Sequence, residues 1–251
     1  RSIYSPLEAV DIAKENLDKE VVFLAIGFET TIPTIALSIK KAALMGLSNY
    51  CLLQSLKTMP PVLEQLLLED QIKIDGFILP GHVSTVIGKK AFSFLAEDYK
   101  MPGVIAGFEA VDIIMGIYYL CKMLKNNQPG VKNLYKRLVK YEGNKKALNI
   151  IEEMFIPVDS YWRGIGVIKY SGLKLKDNYS KYAAENRFEL KQLNNENNKG
   201  CICGEILKGT KKPTECKLFH SECTPLKPVG PCMVSQEGTC AAYYRYGGKV
   251  R

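Results

Sequence analysis

Two rhythms of apolar and polar positions run through the first half of the chain. Val21–Ile26 is a continuous apolar run, the pattern of a strand buried on both faces of a parallel sheet. Tyr50–Leu53, Lys73–Leu79 and Gly103–Ala106 read as further strands. Between them, apolar residues fall at helical spacing from Pro6 to about Asp18, over 31–45, and over Pro60–Glu69, Ser84–Tyr99 and Glu109–Lys125. Ser5, Pro6 and Glu8 form a helix start, with a capping serine, a proline in the first turn and a glutamate placed to close a capping box. Strands alternating with helices predict βαβ units, and hence an α/β fold with parallel, doubly wound sheet.

The second half is less regular. Residues 131–156 predict a basic amphipathic helix, and 158–173 a strand with turns around Trp162-Arg163-Gly164-Ile165-Gly166. Asn194–Gly200 is polar and aperiodic, the pattern of a linker. The expected organisation is an α/β domain over 1–126, a segment over 127–193 completing a second α/β domain, and a small cysteine-rich domain over 194–251.

Three predicted strands end in a glycine turn followed by an ionisable residue: Gly27-Phe28-Glu29, Gly81-His82 and Gly107-Phe108-Glu109. Open α/β sheets bind ligands outside the carboxyl ends of their strands, so Glu29, His82 and Glu109 are candidates for one cleft. The plainer alternative is turn glycines followed by acids that suit a helix N-terminus. Thr30 and Thr31 are placed either to bond a ligand or to cap the next helix. No run has a nucleotide-binding glycine pattern.

Composition narrows the classes. The chain has 251 residues, 47% apolar and 24% charged, as in globular domains. No apolar run approaches the ~20 residues that cross a bilayer, and the longest, Ile113–Cys121, lies between Asp112 and Lys122. The expectation is no membrane partner and a cytoplasmic location. No signal peptide is visible, and the first residue is Arg, as in a processed chain or a fragment. The net charge of +8 suggests nucleic acid or an acidic partner. Only 6 of the 34 basic residues are Arg, the usual reader of phosphates, so no nucleic-acid partner is expected.

Cys51 and Cys121 sit singly in apolar surroundings, where an inert thiol is usual. The other six cysteines form the pattern C-x-C-x12-C-x6-C-x8-C-x7-C, from Cys201 to Cys240. Without an export signal, metal or redox chemistry is favoured over a disulfide framework. A four-iron cluster takes four thiolates, which leaves two of the six. Structural zinc usually shows paired C-x2–4-C knuckles, absent here, yet a zinc-bearing binding module stays the alternative. The assignment chosen is Cys201, Cys216, Cys223 and Cys240 as ligands, with Cys203 and Cys232 as a redox pair; spacing alone does not fix it. Prolines and glycines around the module give a turn-rich wrapping whose N–H groups can bond sulfur. Tyr243-Tyr244-Arg245-Tyr246 is read as packing over it.

The chain resembles the HypD family of hydrogenase maturation factors, which help build the Fe(CN)2CO centre of NiFe hydrogenases. The motifs that carry the resemblance are Gly27-Phe28-Glu29-Thr30-Thr31-Ile32-Pro33, Pro80-Gly81-His82-Val83-Ser84, Gly107-Phe108-Glu109 with Asp112-Ile113, and Trp162–Gly166 leading to Ser171-Gly172-Leu173. Gly230-Pro231-Cys232-Met233-Val234-Ser235 and Cys240 to Tyr246 complete them. The resemblance implies two α/β domains and a terminal iron–sulfur domain with a 4Fe–4S cluster and a nearby cysteine pair, which supports the assignment above. It implies a redox-active scaffold rather than a conventional enzyme. A HypC-type chaperone and a HypE-type cyanide donor would be its partners, and a transient Fe(CN)2CO iron its cargo. Electrons would pass from the cluster to Cys203–Cys232, with His82 and Glu29 as iron contacts or proton donors. The family's Cys-Gly-Gly-His-Thr and Gly-Pro-Gly-Cys-Pro-x-Cys motifs have no counterpart, so the chain reads as a member lacking its N-terminal part and unable alone to complete assembly. Ala110 and Lys169 stand where the family usually has proline.

Overall fold

The computed structural model describes residues 1–69, 72–190 and 200–247. Helix α1 (Pro6–Glu15) starts as its sequence predicts. The Ser5 hydroxyl accepts from the Leu7 N–H and the Glu8 carboxylate from the Tyr4 N–H, so two main-chain donors at the helix start find oxygen. Then follow β1 (Val21–Gly27), α2 (Ile32–Leu44), β2 (Tyr50–Lys57), α3 (Pro60–Leu67), β3 (Phe77–Pro80), α4 (Gly81–Ile87) and α5 (Phe94–Glu97). Next come β4 (Gly103–Ala106), α6 (Ala110–Lys125), β5 (Val131–Asn133), α7 (Lys145–Met154), β6 (Phe155–Trp162) and β7 (Gly166–Leu175). The cysteine-rich segment supplies α8 (Cys203–Leu207), α9 (Pro231–Val234) and α10 (Thr239–Tyr246). The predicted linker Asn194–Gly200 lies outside the described residues, apart from Gly200.

The fold is α/β, but of the two sheets among the described residues one is wholly parallel and one is mixed. β3, β4 and β5 form a parallel three-stranded sheet in that order. The other has the order β1-β2-β7-β6 and is mixed: β1 runs parallel to β2, while β7 runs antiparallel to β2 through Leu56↔Leu173 and Lys57↔Gly172. Only the three residues Arg163, Gly164 and Ile165 join β6 to β7. That is far too few for the crossover a parallel pair needs, so the chain turns straight back.

Other expectations are corrected too. β1 is not buried on both faces: Val22, Leu24 and Ile26, which share one face, are exposed, while Ala25 on the other face is buried. The helix expected over 84–99 is broken at Gly88, whose φ of +80° favours glycine; a Cβ there would lie 2.3 Å from the Gly143 nitrogen. The strand expected at Lys73 starts at Phe77. The helix expected over 131–156 is confined to α7, where Asn144 caps the Ala147 N–H at 3.3 Å. Val131–Asn133 instead joins β4 as a strand, and β6 takes over at Phe155.

The chain folds into two compact units, one of Arg1–Leu63, Asp75–Asp159 and Lys169–Lys191, the other of Glu64–Ile74, Ser160–Ile168 and Gln192–Arg251. The first holds both sheets. Ile35, Ile39, Tyr50, Leu52, Leu56 and Met154 pack in its core, where Ser38 and Tyr50 share a hydrogen bond of 2.8 Å. The second holds the cysteine module and the β6–β7 turn. Among the described residues no helix is long and apolar enough to cross a membrane.

Candidate functional site

Three of the module's six cysteines sit in the first turn of a short helix: Cys203 opens α8, Cys232 is second in α9 and Cys240 second in α10. Helix starts present N–H groups that favour thiolate. All three helices are short, with Gly209 just beyond α8 and Gly247 at the end of α10, so the chain returns repeatedly to one place. Cys203, Cys223, Cys232 and Cys240 are buried there with Ile206, Met233 and Ala241.

The thiols surround a hollow. Cys201, Cys203, Cys216, Cys223 and Cys240 line it together with Leu218, and its cavity volume is small, ≈ 10 Å³. Cys232 is not on this wall. It stands behind Cys203, and its N–H donates to the Cys203 sulfur at 3.3 Å. The Val229 N–H donates to the Cys223 sulfur, also at 3.3 Å. All eight cysteines are free thiols.

The electrostatics separate the two buried neighbours. The hydrogen bond from the Cys232 thiol pulls the Cys203 thiol down to about 6, against the opposing effect of burial; the Cys232 N–H, Cys201 and Arg163 act in the same direction as that bond. The same bond, with burial, pushes Cys232 up. Burial pushes Cys240 up to about 12 and also raises Cys201.

Two residues were not singled out from the sequence. Arg163, in the β6–β7 turn, donates to the Val229 carbonyl at 3.2 Å and favours the Cys203 thiolate. Gly230 admits the sulfurs: a Cβ there would lie 2.5 Å from the Cys201 sulfur and 3.4 Å from that of Cys203. The Trp-Arg-Gly motif and the Gly-Pro-Cys triplet were the available signals, but neither says what lies opposite. Tyr243 and Tyr244 pack on Phe219, and Tyr244 also stacks on His220 at 4.2 Å, which is the packing role expected of them.

This donor set suits a cluster. Several soft thiols face one hollow, glycine leaves room for sulfur, and backbone N–H groups point at sulfur. Among the described residues no three His, Cys, Asp or Glu side chains form a set for a single metal ion.

The three strand-end candidates lie in the first unit, on two sheets. Glu29 follows β1 and is 3% exposed; its Oε1 accepts the Met59 N–H at 2.7 Å, and its Oε2 is buried with no partner among the described residues. Burial raises the Glu29 carboxyl above its ordinary range, against the pull of the Met59 bond. Glu29 lines a cleft of ≈ 340 Å³ with Thr58, Pro60, Ile87, Leu148 and Leu173. His82 follows β3, is exposed, and stacks on Phe108 with ring centres 4.1 Å apart. Glu109 precedes α6, and Arg137 lies 3.7 Å from it and 3.5 Å from Asp112. His82 and Glu109 thus stand at neighbouring strand ends of one sheet, and Glu29 at a strand end of the other. Thr31 occupies the cap position of α2 but forms no side-chain cap; its hydroxyl donates to the Phe28 carbonyl.

Comparison with known proteins adds what geometry cannot. The family model described as "HypD: Hydrogenase formation hypA family" matches residues 1–247. The chain belongs to the HypD family. It is 44% identical to the hydrogenase maturation factor HypD2 of Bradyrhizobium diazoefficiens, over 98% of this chain and 67% of that protein. It is also 44% identical to a putative hydrogenase expression/formation protein of Methanocaldococcus jannaschii, over 98% of this chain and 68% of the relative. The hydrogenase maturation factor HypD of Cupriavidus necator is 41% identical over 98% of this chain. As a HypD family member the chain thus spans about two thirds of its relatives' length, 67% of the Bradyrhizobium protein.

Proposed function

We propose that the chain acts in hydrogenase maturation as a redox scaffold, with a 4Fe–4S cluster held by Cys201, Cys216, Cys223 and Cys240. The reading is carried by one observation, the hollow walled by these four thiols and Cys203. When bound, such a cluster supplies electrons one at a time. Cys203 and Cys232 serve as the exchanging pair. Their disulfide takes up two electrons and two protons to give two thiols, and releases the same on closing. The bond from the Cys232 thiol, helped by the Cys232 N–H and Arg163, favours Cys203 as the thiolate, the form that attacks and exchanges. In the first unit, Glu29, His82 and Glu109 serve the cargo, a transient Fe(CN)2CO iron. Glu29 offers a buried carboxyl able to hold a proton, and His82 an imidazole free to approach iron. A HypC-type chaperone and a HypE-type cyanide donor are the partners, in the cytoplasm, where thiols stay reduced.

The test is anaerobic purification of wild type and Cys216→Ala, with iron, sulfide and zinc measured and the visible spectrum recorded. Wild type is expected brown and iron-bearing, and the variant depleted of iron and sulfide. A colourless wild type holding one zinc, or a variant with wild-type iron, overturns the reading. Labelling of Cys203 and Cys232 that mild reduction leaves unchanged removes them from the redox step.

A further inference from the structure

The three-stranded parallel sheet ends in an open edge. β5 is its last strand, and its inner side is occupied: the Gly103 N–H donates to the Gly130 carbonyl at 3.0 Å, and the Leu134 N–H to the Ile105 carbonyl at 2.9 Å. Main-chain groups alternate in direction along a strand, so Val131 and Asn133 turn theirs away from β4. Alongside this edge runs a groove of ≈ 750 Å³, walled by Lys89, Lys122, Lys132, Lys136, Tyr119 and Asn133 among others. Among the described residues no acidic side chain lines it. Among the described residues none of these four lysines has a carboxylate within ion-pair distance. Nearby acids are engaged elsewhere, Glu142 by Lys90 and both Glu109 and Asp112 by Arg137. The Lys132 ammonium lies 4.0 Å over the Tyr119 ring, which holds its charge beside the edge.

We propose that this edge takes an acidic, extended segment of a partner protein as a fourth strand. Two independent features select that occupant. The outward main-chain N–H and C=O groups of Val131 and Asn133, which have no main-chain partner among the described residues, match a peptide strand that bonds them in register. Four uncompensated ammonium groups select for carboxylates along it and steer its approach. The same lysines disfavour a second copy of this chain, because joining two such edges would set like charges face to face; lysine guards sheet edges in this way. A nucleic acid fits less well, since no arginine lines the groove to grip phosphate in two places and a sugar–phosphate chain does not pair with a strand edge. The excess positive charge of the chain, which the thiol chemistry does not use, gains a role here.

The probe is a fluorescent peptide of about six residues, a common strand length, alternating Glu and Val. It is titrated into the intact chain, with fluorescence anisotropy as the readout and amide hydrogen exchange recorded at Val131 and Asn133. Saturable binding is expected, with slowed exchange at both amides. Affinity should fall at least about tenfold in a Lys122→Glu/Lys132→Glu variant, and similarly when the peptide is N-methylated at alternate residues; tenfold corresponds to about 1.4 kcal/mol. Both lysines are exposed, and an unchanged thermal melt checks that the variant folds. Should it not fold, the N-methylated peptide on the wild-type chain decides alone. Absence of binding, equal binding of the N-methylated peptide, or equal binding of single-stranded DNA of the same charge overturns the proposal.

Discussion

The two units build their interiors from different material. In the first, the core is aliphatic and aromatic, and the ionisable candidates stand at strand ends around it. In the second, the cluster around the thiols has seven buried members among the described residues, and four of them are cysteines, so there the chemistry is the core. The difference follows from size and regularity. Two sheets with flanking helices bury enough apolar surface to hold themselves together. A module of short helices and turns does not, and such modules usually depend on a metal or on cross-links. The first unit can therefore lose a functional side chain and remain folded, whereas the second cannot lose a thiol without losing part of its framework.

The largest expected effect that separates the units is a truncation in the first. Ile39 is fully buried, and Ile39→Ala should cost about 2–5 kcal/mol, read by denaturant unfolding. Iron content should not change. If iron falls with stability, the two interiors are not independent and the contrast fails. Gly230→Ala should reverse the pattern. Its Cβ would press on the Cys201 sulfur, an overpacking worth about 1–3 kcal/mol, and iron per chain should drop while the unfolding of the first unit stays in place. Unchanged iron would show that the sulfurs do not need the space glycine leaves.

The smallest effect tests the rim of the first unit. Because burial raises the Glu29 carboxyl, the folded state holds its proton more tightly than the unfolded state does. Stability from this group is therefore greatest in acid and is lost as pH rises through the raised value. Glu29→Gln should melt with the wild type near pH 4 and above it at neutral pH, a gap that grows across the window between (about 4.5 is the unfolded value). A gap that stays constant with pH would show that the Glu29 carboxyl does not titrate as a buried acid.

The parts of this protein that were legible in the sequence are those set by neighbours in the chain. The Ser5 cap, the helices α1, α2 and α6, and the strand Gly103–Ala106 all announce themselves through local spacing or capping. Strand Val131–Asn133 did not, because three residues carry no period and only β4 makes them a strand. The exposed face of β1 is not legible for a similar reason: a run of six apolar residues says nothing about whether a second layer covers it.

Chain order by itself determined the α/β class, the clustering of six cysteines and the family motifs, since all are properties of residue type and spacing. Tertiary structure alone decided the antiparallel return of β7, the wall of five thiols with Cys232 set behind it, and the bond between Arg163 and the Val229 carbonyl. These depend on which distant segments meet, and a thiol's partner is chosen by position in space, which spacing along the chain does not specify.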